Sequence, residues 1–126
     1  MRRGQKSPTN TELSILRVLW ARGPSTVREV AVEMGRGDAY TTILKMLQIM
    51  TGKQLVRRNV SSRSHVYEAA STQHETQRQL VADLIDKAFG GSAARLVVQA
   101  LSSTHASPAE LAEIRKLVAR RRKEAR

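Results

Sequence analysis

The 126-residue sequence contains no cysteine, few aromatic residues and no long apolar run. The absence of cysteine excludes disulfide bonds, thiolate zinc sites and thiol redox sensing. No stretch approaches the ~18 apolar residues of a membrane span. The basic N-terminus is not followed by the apolar segment of a signal peptide. We therefore expect a cytoplasmic protein without membrane insertion.

Only one Trp, two Tyr and one Phe are present, so the core must be aliphatic and modest in size. A chain of this length accommodates one small domain with an appendage. Because the core is modest, we expect its stability to depend on burying a second face against another copy of the chain.

Positive charge is the largest compositional bias, with 22 Lys and Arg against 11 Asp and Glu and a net charge of +11. Residues 1–68 hold 12 basic and 5 acidic residues, whereas residues 69–126 hold 10 and 6. The excess therefore lies mainly in the first half of the chain. A polyanion such as nucleic acid is the leading partner.

Capping boxes predict where four helices begin, because a Ser or Thr and a Glu three residues later satisfy each other's backbone donors. The four boxes are Thr9–Glu12, Thr26–Glu29, Thr72–Glu75 and Ser107–Glu110. Ser92 is a further N-cap, before a short and very apolar helix of residues 93–101.

A helix without such a box is predicted from Asp38 or Ala39 to about Gly52. Its apolar stripe has the spacing i, i+3, i+4 and i+7, and consists of Ile43, Met46, Leu47 and Met50. The opposite surface is polar and carries no acid.

Two β-like runs follow this helix, Leu55–Arg58 and His65–Glu68, and a Ser- and Asn-rich loop joins them. The order of helix, turn, helix and basic hairpin predicts a winged helix-turn-helix. In such domains the second helix of the motif enters the DNA major groove. We therefore interpret the chain as a DNA-binding regulator.

The expected DNA contacts are polar and basic residues of the uncapped helix, the preceding helix and the hairpin. They are Tyr40, Thr41, Thr42, Lys45, Gln48, Arg28, Arg57 and Arg63. Thr and Lys near a helix N-terminus can bind phosphates and base edges. The alternative for these residues is a solvated helix face and an edge strand kept soluble by charge. Since side chains alternate along a strand, at most one of Arg57 and Arg58 is expected to meet DNA.

Residues 71–126 form three predicted helices whose apolar faces need a partner. The predicted fold class is mainly α with a small β-hairpin, with a winged helix-turn-helix in residues 1–70 and a helical dimerisation domain in residues 71–126. A two-fold symmetric protein matches a palindromic operator. The expected dimer-interface residues are Leu84, Phe89, Leu96, Val97, Val98, Leu101 and Leu117.

No catalytic or cofactor chemistry is predicted. The three histidines, His65, His74 and His105, are far apart without acidic or cysteine companions at ligand spacing, so we expect no metal site. No nucleophile motif or Gly-rich phosphate loop is present. We therefore expect a protein that is not an enzyme.

Four separated motifs resemble the penicillinase-repressor family of winged-helix regulators. They are T-x-x-E-L-x-I-L-x-V-L-W with G-P-S-T-V-R-E-V, then Y-T-T-I-L-K-M-L, H-V-Y-E-A, and F-G-G-S-A-A-R-L-V with S-P-A-E-L-A-E-I. The resemblance spans Ser7 to Val118. It implies a dimeric repressor on an inverted-repeat operator. It also implies relief of repression by proteolysis within Leu96–Leu101, downstream of a membrane-embedded zinc metallopeptidase.

Two alternatives to an operator-specific repressor stay open. One is a winged-helix regulator that responds to a small ligand bound between domains. The other is a protein-interaction module that uses the winged-helix fold without binding DNA. The basic first half and the acid-free helix face favour the repressor.

Overall fold

The structure is a computed structural model that describes residues 7–61 and 63–125. It contains six helices and three strands within these ranges. They are α1 (Asn10–Arg22), β1 (Ser25–Thr26), α2 (Val27–Glu33), α3 (Tyr40–Gly52), β2 (Val56–Asn59), β3 (Val66–Ala69), α4 (Gln73–Ala88), α5 (Ala93–Ser103) and α6 (Pro108–Glu124). The mainly α fold with a small sheet is therefore confirmed.

The chain divides into two compact units, and the division falls between Asp83 and Leu84, inside α4. The domain boundary predicted near residue 70 stays a prediction. Within the first unit, Trp20 of α1 donates its indole N–H to the carbonyl of Ser71, 3.0 Å away. Thr76 in the first turn of α4 is buried. The start of α4 is thereby fixed to the winged-helix core.

The predicted capping boxes are present at the helix starts. In α1, the backbone N–H of Glu12 donates to the Thr9 hydroxyl at 3.2 Å, and the Thr9 backbone N–H donates to the Glu12 carboxylate at 2.8 Å. Equivalent pairs stand before the other three helices that begin with a box. Ser92 accepts from the backbone N–H of Arg95, as expected for an N-cap. Local rules therefore specify these five helix starts.

The sheet has three antiparallel strands in the order β1-β3-β2 rather than the two expected. The extra strand is Ser25–Thr26, which pairs with Tyr67 and Val66 of β3. A strand of two residues between Pro24 and a helix is too short to show an alternating pattern, so β1 could not be predicted from the sequence. Its pairing fixes the start of α2 against the hairpin.

Aliphatic side chains from the three first helices and the sheet form the core of the first unit. The buried hydrophobic residues are Ile15, Leu16, Leu19, Val27, Val30, Ala31, Ile43, Leu47, Met50, Leu55, Val56 and Tyr67. Three of the four members of the predicted stripe of α3 are buried, and Met46 packs against the cluster while partly exposed. The inward face of α3 is therefore confirmed.

A buried ion pair joins the beginning of α1 to the end of α3. The Lys53 ammonium lies 3.1 and 2.9 Å from the two carboxylate oxygens of Glu12, whose side chain is 4% exposed. Burial acts to raise the pKa of Glu12. The hydrogen bonds from Lys53 and Thr9 and the charge of Lys53 outweigh burial, so that this pKa lies below its ordinary value. The charged pair therefore stabilises the contact between the two helices.

The turn after α3 places a non-glycine residue in the left-handed region, because Gln54 has a φ of 64°. The backbone N–H of Gln54 donates to Thr51, and that of Leu55 donates to Met50. This pattern of hydrogen bonds is the Schellman motif, in which glycine is usual at the position of Gln54. The turn is formed here with the strain of a side chain in that conformation.

In the second unit, α5 and α6 contain no buried residue. Gly90 and Gly91, both with positive φ, separate α4 from α5. Several large apolar side chains of the two helices are at least 40% exposed in a single chain. They are Val97, Val98, Leu101, Leu111, Leu117 and Val118.

Candidate nucleic-acid interface

The α3 helix presents a polar surface on the side away from the core. Successive residues rotate by about 100° around a helix, so Thr41, Lys45 and Gln48 lie opposite Ile43 and Leu47. All three are exposed, as is Thr42. The helix contains no acid in its first turn. This surface can donate hydrogen bonds to bases and phosphates without repelling them.

The N-terminus of α3 differs from those of the other helices. Its N-cap is Ala39, which makes no side-chain capping hydrogen bond. The first backbone N–H groups of an α-helix have no partner inside the helix. Those of α3 are therefore open to an external acceptor, and the helix dipole favours a phosphate there.

A cleft, which we call the basic groove, runs beside α3 and is formed by α2, α3 and the hairpin. Its lining residues are Thr26, Val27, Arg28, Tyr40, Leu44, Gln48, Arg58, Arg63, Ser64 and His65. Tyr40, Leu44 and Gln48 follow one another at intervals of four residues, so they form a row along one side of α3. Among residues 7–61 and 63–125, no Asp or Glu lines the groove, so the described lining is electropositive.

Three arginines enter this groove from three different elements. Arg28 comes from the first turn of α2, Arg58 from β2 and Arg63 from the loop between β2 and β3. Among the described residues, no carboxylate lies within 4.0 Å of any of these guanidinium groups. Their charge is thus not neutralised within the described chain.

Arg57 and Arg58 point to opposite sides of the sheet. Arg57 pairs across the strands with Glu68, and its Nε lies 3.8 Å from a carboxylate oxygen of that residue. Arg58 pairs across the strands with Tyr67 and lines the basic groove. The DNA contact expected of Arg57 stays a prediction. Arg58, and not Arg57, is among the residues that line the basic groove.

The first turns of α2 and α3 meet through a stacking contact. The guanidinium carbon of Arg28 lies 5.8 Å from the centre of the Tyr40 ring. This distance is within the range of a cation–π interaction. Tyr40 keeps 41% of its surface exposed, so part of the residue is open to solvent beside this contact.

Four of the eight residues expected to bind DNA line the groove, namely Arg28, Tyr40, Gln48 and Arg63. Thr41, Thr42 and Lys45 lie on the exposed side of α3, outside the groove lining. Arg58, the alternative to Arg57 in the sequence-based expectation, lines the groove, and so does His65, for which no DNA contact is predicted. Strand alternation separates Arg57 from Arg58, but it does not tell which of the two faces the helices.

Among residues 7–61 and 63–125, no group of three or more His, Cys, Asp or Glu side chains could hold a metal ion. In the same part of the chain, no helix has both the length and the apolar character that crossing a bilayer requires.

An exposed polar helix beside a basic β-hairpin defines the class of winged helix-turn-helix DNA-binding proteins. The family model described as "Penicillinase repressor" matches residues 8–120. The chain therefore belongs to the penicillinase repressor family and is a DNA-binding transcriptional regulator. The resemblance inferred from the motifs is confirmed.

One solved structure similar to this chain is the solution structure of apo-NmtR. The identity is 27%, the match covers 79% of this chain and 74% of that chain, and the TM-score is 0.46. A comparison with curated proteins gives no match.

Proposed function

We propose that the protein represses transcription as a homodimer on an inverted-repeat operator, and that proteolysis within α5 relieves the repression. The observation that carries the DNA-binding part is the basic groove. It holds three arginines without carboxylate partners among the described residues, beside a helix whose outer face carries no acid in its first turn.

In this proposal α3 enters the major groove, where Thr41, Lys45 and Gln48 meet base edges or nearby phosphates. Arg28, Arg58 and Arg63 hold the flanking phosphates. A side-chain cation that is paired with a carboxylate must give up that ion pair before it can bind a phosphate. A cation without a carboxylate partner has no such loss, so the release of counterions from DNA favours its binding in full. We therefore assign the hairpin phosphate contact to Arg58 and Arg63 in preference to Arg57.

The proposal of a dimer is supported by the second unit. Val98 is 64% exposed and Leu117 is 51% exposed, in two helices that bury no residue in a single chain. Several exposed large apolar side chains on helices that bury none are what an interface requires. Two DNA-reading domains on one dimer bind as linked events, which can raise avidity by ~10²–10⁴.

Relief by proteolysis is proposed from the family to which the chain belongs. Helix α5 has 11 residues and buries none of them in a single chain, so it is a short element whose stability depends on its partner. A cut within Leu96–Leu101 would divide α5 and separate α6 from the DNA-reading domain, so that part of the apolar surface proposed to form the dimer would be lost. The avidity of the two linked sites would then be lost.

The DNA-binding proposal is tested by selecting bound duplexes from a random pool and measuring their affinity by fluorescence anisotropy. We expect the selected site to be an inverted repeat. Lys45→Ala and Thr41→Ala should each weaken binding by about 1–3 kcal/mol if they contact base edges. Selection of no common sequence, together with a flat salt dependence, would instead favour the protein-interaction module.

Neighbouring arginines provide a matched control for the phosphate contacts. Arg58→Gln should reduce the slope of log affinity against log salt by about one unit per protomer. Arg57→Gln makes the same chemical change one residue away, on the side of the sheet where Glu68 lies, and should leave the slope nearly unchanged. Equal slopes for the two variants would contradict our assignment of the groove as the phosphate site.

Relief by cleavage is tested with two variants, each of which carries the recognition sequence of a specific protease. In the first variant this sequence replaces residues of α5, and in the second it replaces residues of the connection between α5 and α6. Cleavage in α5 should release the selected operator and yield monomers. Cleavage in the connection, around His105, leaves α5 attached to the DNA-reading domain and serves as the comparison. Retention of DNA after a complete cut in α5 would contradict the proposed route of induction.

A further inference from the structure

The contact between Arg28 and Tyr40 joins the first turns of the two helices of the helix-turn-helix. Arg28 is the second residue of α2, and Tyr40 is the first residue of α3. The guanidinium carbon lies 5.8 Å from the ring centre. Both side chains are exposed and line the basic groove. The contact is thus at the place where the proposed function brings DNA.

The two partners are not held equally by their own helices. Arg28 stands in the first turn of a helix whose N-cap Thr26 forms a complete capping box with Glu29. Tyr40 follows Ala39, which makes no capping hydrogen bond. The start of α2, which contains Arg28, is therefore held by a side-chain cap, whereas the start of α3 at Tyr40 is not.

We propose that Arg28 is a positioning residue, which holds the Tyr40 ring in the lining of the basic groove so that its exposed part meets a base or a sugar of the operator. This inference rests on the proposed function. A tyrosine ring that is already oriented loses less rotational freedom on binding, which improves affinity without adding a contact. Tyr40 is then the residue that touches DNA, and part of the effect of Arg28 passes through it.

A different role for Arg28 makes a different prediction. If Arg28 only contacts a phosphate, its removal costs the same affinity whether or not residue 40 carries a ring. If it positions Tyr40, part of its effect disappears when the ring is removed. An exposed cation–π contact corresponds to a coupling of about two- to fivefold in the dissociation constant.

The test is a double-mutant cycle with the full chain, measured by anisotropy on the selected operator at one salt concentration. The four proteins are the wild type, Arg28→Ala, Tyr40→Leu and the double variant. We expect Arg28→Ala to weaken binding two- to fivefold more in the wild type than in the Tyr40→Leu background. Tyr40→Phe keeps the ring, so in that background Arg28→Ala should have its full effect.

The control cycle replaces Arg28→Ala with Arg63→Ala, since Arg63 lines the same groove and no stacking contact with Tyr40 is found for it among the described residues. Its effect should add to that of Tyr40→Leu. Urea unfolding followed by the fluorescence of Trp20 checks that every variant is folded.

The outcomes separate the two proposals. If the wild type selects no operator and binds random duplexes without preference, the proposed function fails. Two other results would show that the positioning role is wrong while the proposed function stands. In the first, the wild type binds its operator but the effects of Arg28→Ala and Tyr40→Leu on affinity are additive. In the second, Tyr40→Phe removes the coupling as fully as Tyr40→Leu does.

Discussion

The Glu12→Gln substitution is expected to destabilise the first unit by removing one charge from its core. Gln has nearly the same shape as Glu, and its amide oxygen can still accept the hydrogen bond that the Thr9 backbone donates. What is lost is the ion pair with Lys53, whose ammonium contacts both carboxylate oxygens. The perturbation therefore isolates the charge from the capping box.

The size of the effect follows from the exposure of the two partners. The Glu12 side chain is 4% exposed, so it has almost no water to replace the lost partner, whereas the Lys53 side chain is 30% exposed and can be rehydrated. Hydrogen bonds to charged groups contribute about 1.5–3 kcal/mol. We expect the free energy of unfolding to fall by about 2 kcal/mol at pH 7, within that range.

The effect should depend on pH in a defined direction. The pKa of Glu12 is lowered in the folded state by its partners. A lowered pKa gives stability that is fully present above the ordinary value of 4.5 and is lost as the pH falls through the folded value. The difference between wild type and Glu12→Gln should therefore be greatest near pH 7 and shrink towards acid. Urea unfolding, followed by the single tryptophan Trp20, measures it at each pH.

A matched control lies in the next capping box. Glu29 accepts from Thr26 in the same way, and its cation, Arg22, is 3.0 Å away, but both side chains are more than a third exposed. Glu29→Gln should therefore cost less than Glu12→Gln, since exposed pairs contribute little. Equal losses for the two variants, or a Glu12→Gln loss that is constant from neutral to acid pH, would refute the reasoning.

Three further variants test other parts of the structure. Tyr67→Phe removes a buried hydroxyl without a hydrogen-bond partner among the described residues, so it should raise the free energy of unfolding by about 1 kcal/mol; a loss in urea unfolding would mean that the hydroxyl has a partner. Gln54→Gly relieves a left-handed side chain and should add about 0.5–1 kcal/mol in the same assay, whereas an unchanged midpoint would contradict the strain. The double variant Val97→Asp/Leu101→Asp should dissociate the proposed dimer in sedimentation. The single variant Gln99→Asp, on the opposite side of α5, should leave the dimer intact. If the double variant also remains a dimer, the assignment of Val97 and Leu101 to the interface is wrong.

The parts of the fold that follow local rules could be predicted from the sequence. A Thr or Ser followed three residues later by Glu satisfies its own backbone donors, so the starts of α1 and α2 needed no knowledge of the rest of the chain. The inward face of α3 followed from the spacing of Ile43, Leu47 and Met50, because a helix must bury its apolar stripe. Both predictions depend only on neighbouring residues.

The features that were missed depend on pairing between distant residues. Ser25–Thr26 becomes a strand only because β3 offers a free edge, and two residues carry no periodic signal. Likewise, the choice between Arg57 and Arg58 depends on which cross-strand neighbour each receives. The register that sets Arg57 opposite Glu68 and Arg58 opposite Tyr67 follows from tertiary packing, which strand alternation alone does not provide.

The helix start that local rules leave incomplete belongs to the proposed site. Helix α3 begins at Tyr40, and its N-cap Ala39 makes no side-chain capping hydrogen bond, whereas α1 and α2 in the same unit have complete capping boxes. A Ser or Asp at this position would occupy the first backbone donors, and an acid would also repel phosphate. The missing cap therefore costs some helix stability but leaves those donors available to DNA. A helix start that binds an external anion is expected to lack the side-chain cap that would be best for the stability of the helix alone. The stacking of Arg28 on Tyr40 gives the first turn of α3 a contact from α2 where α3 has no cap of its own.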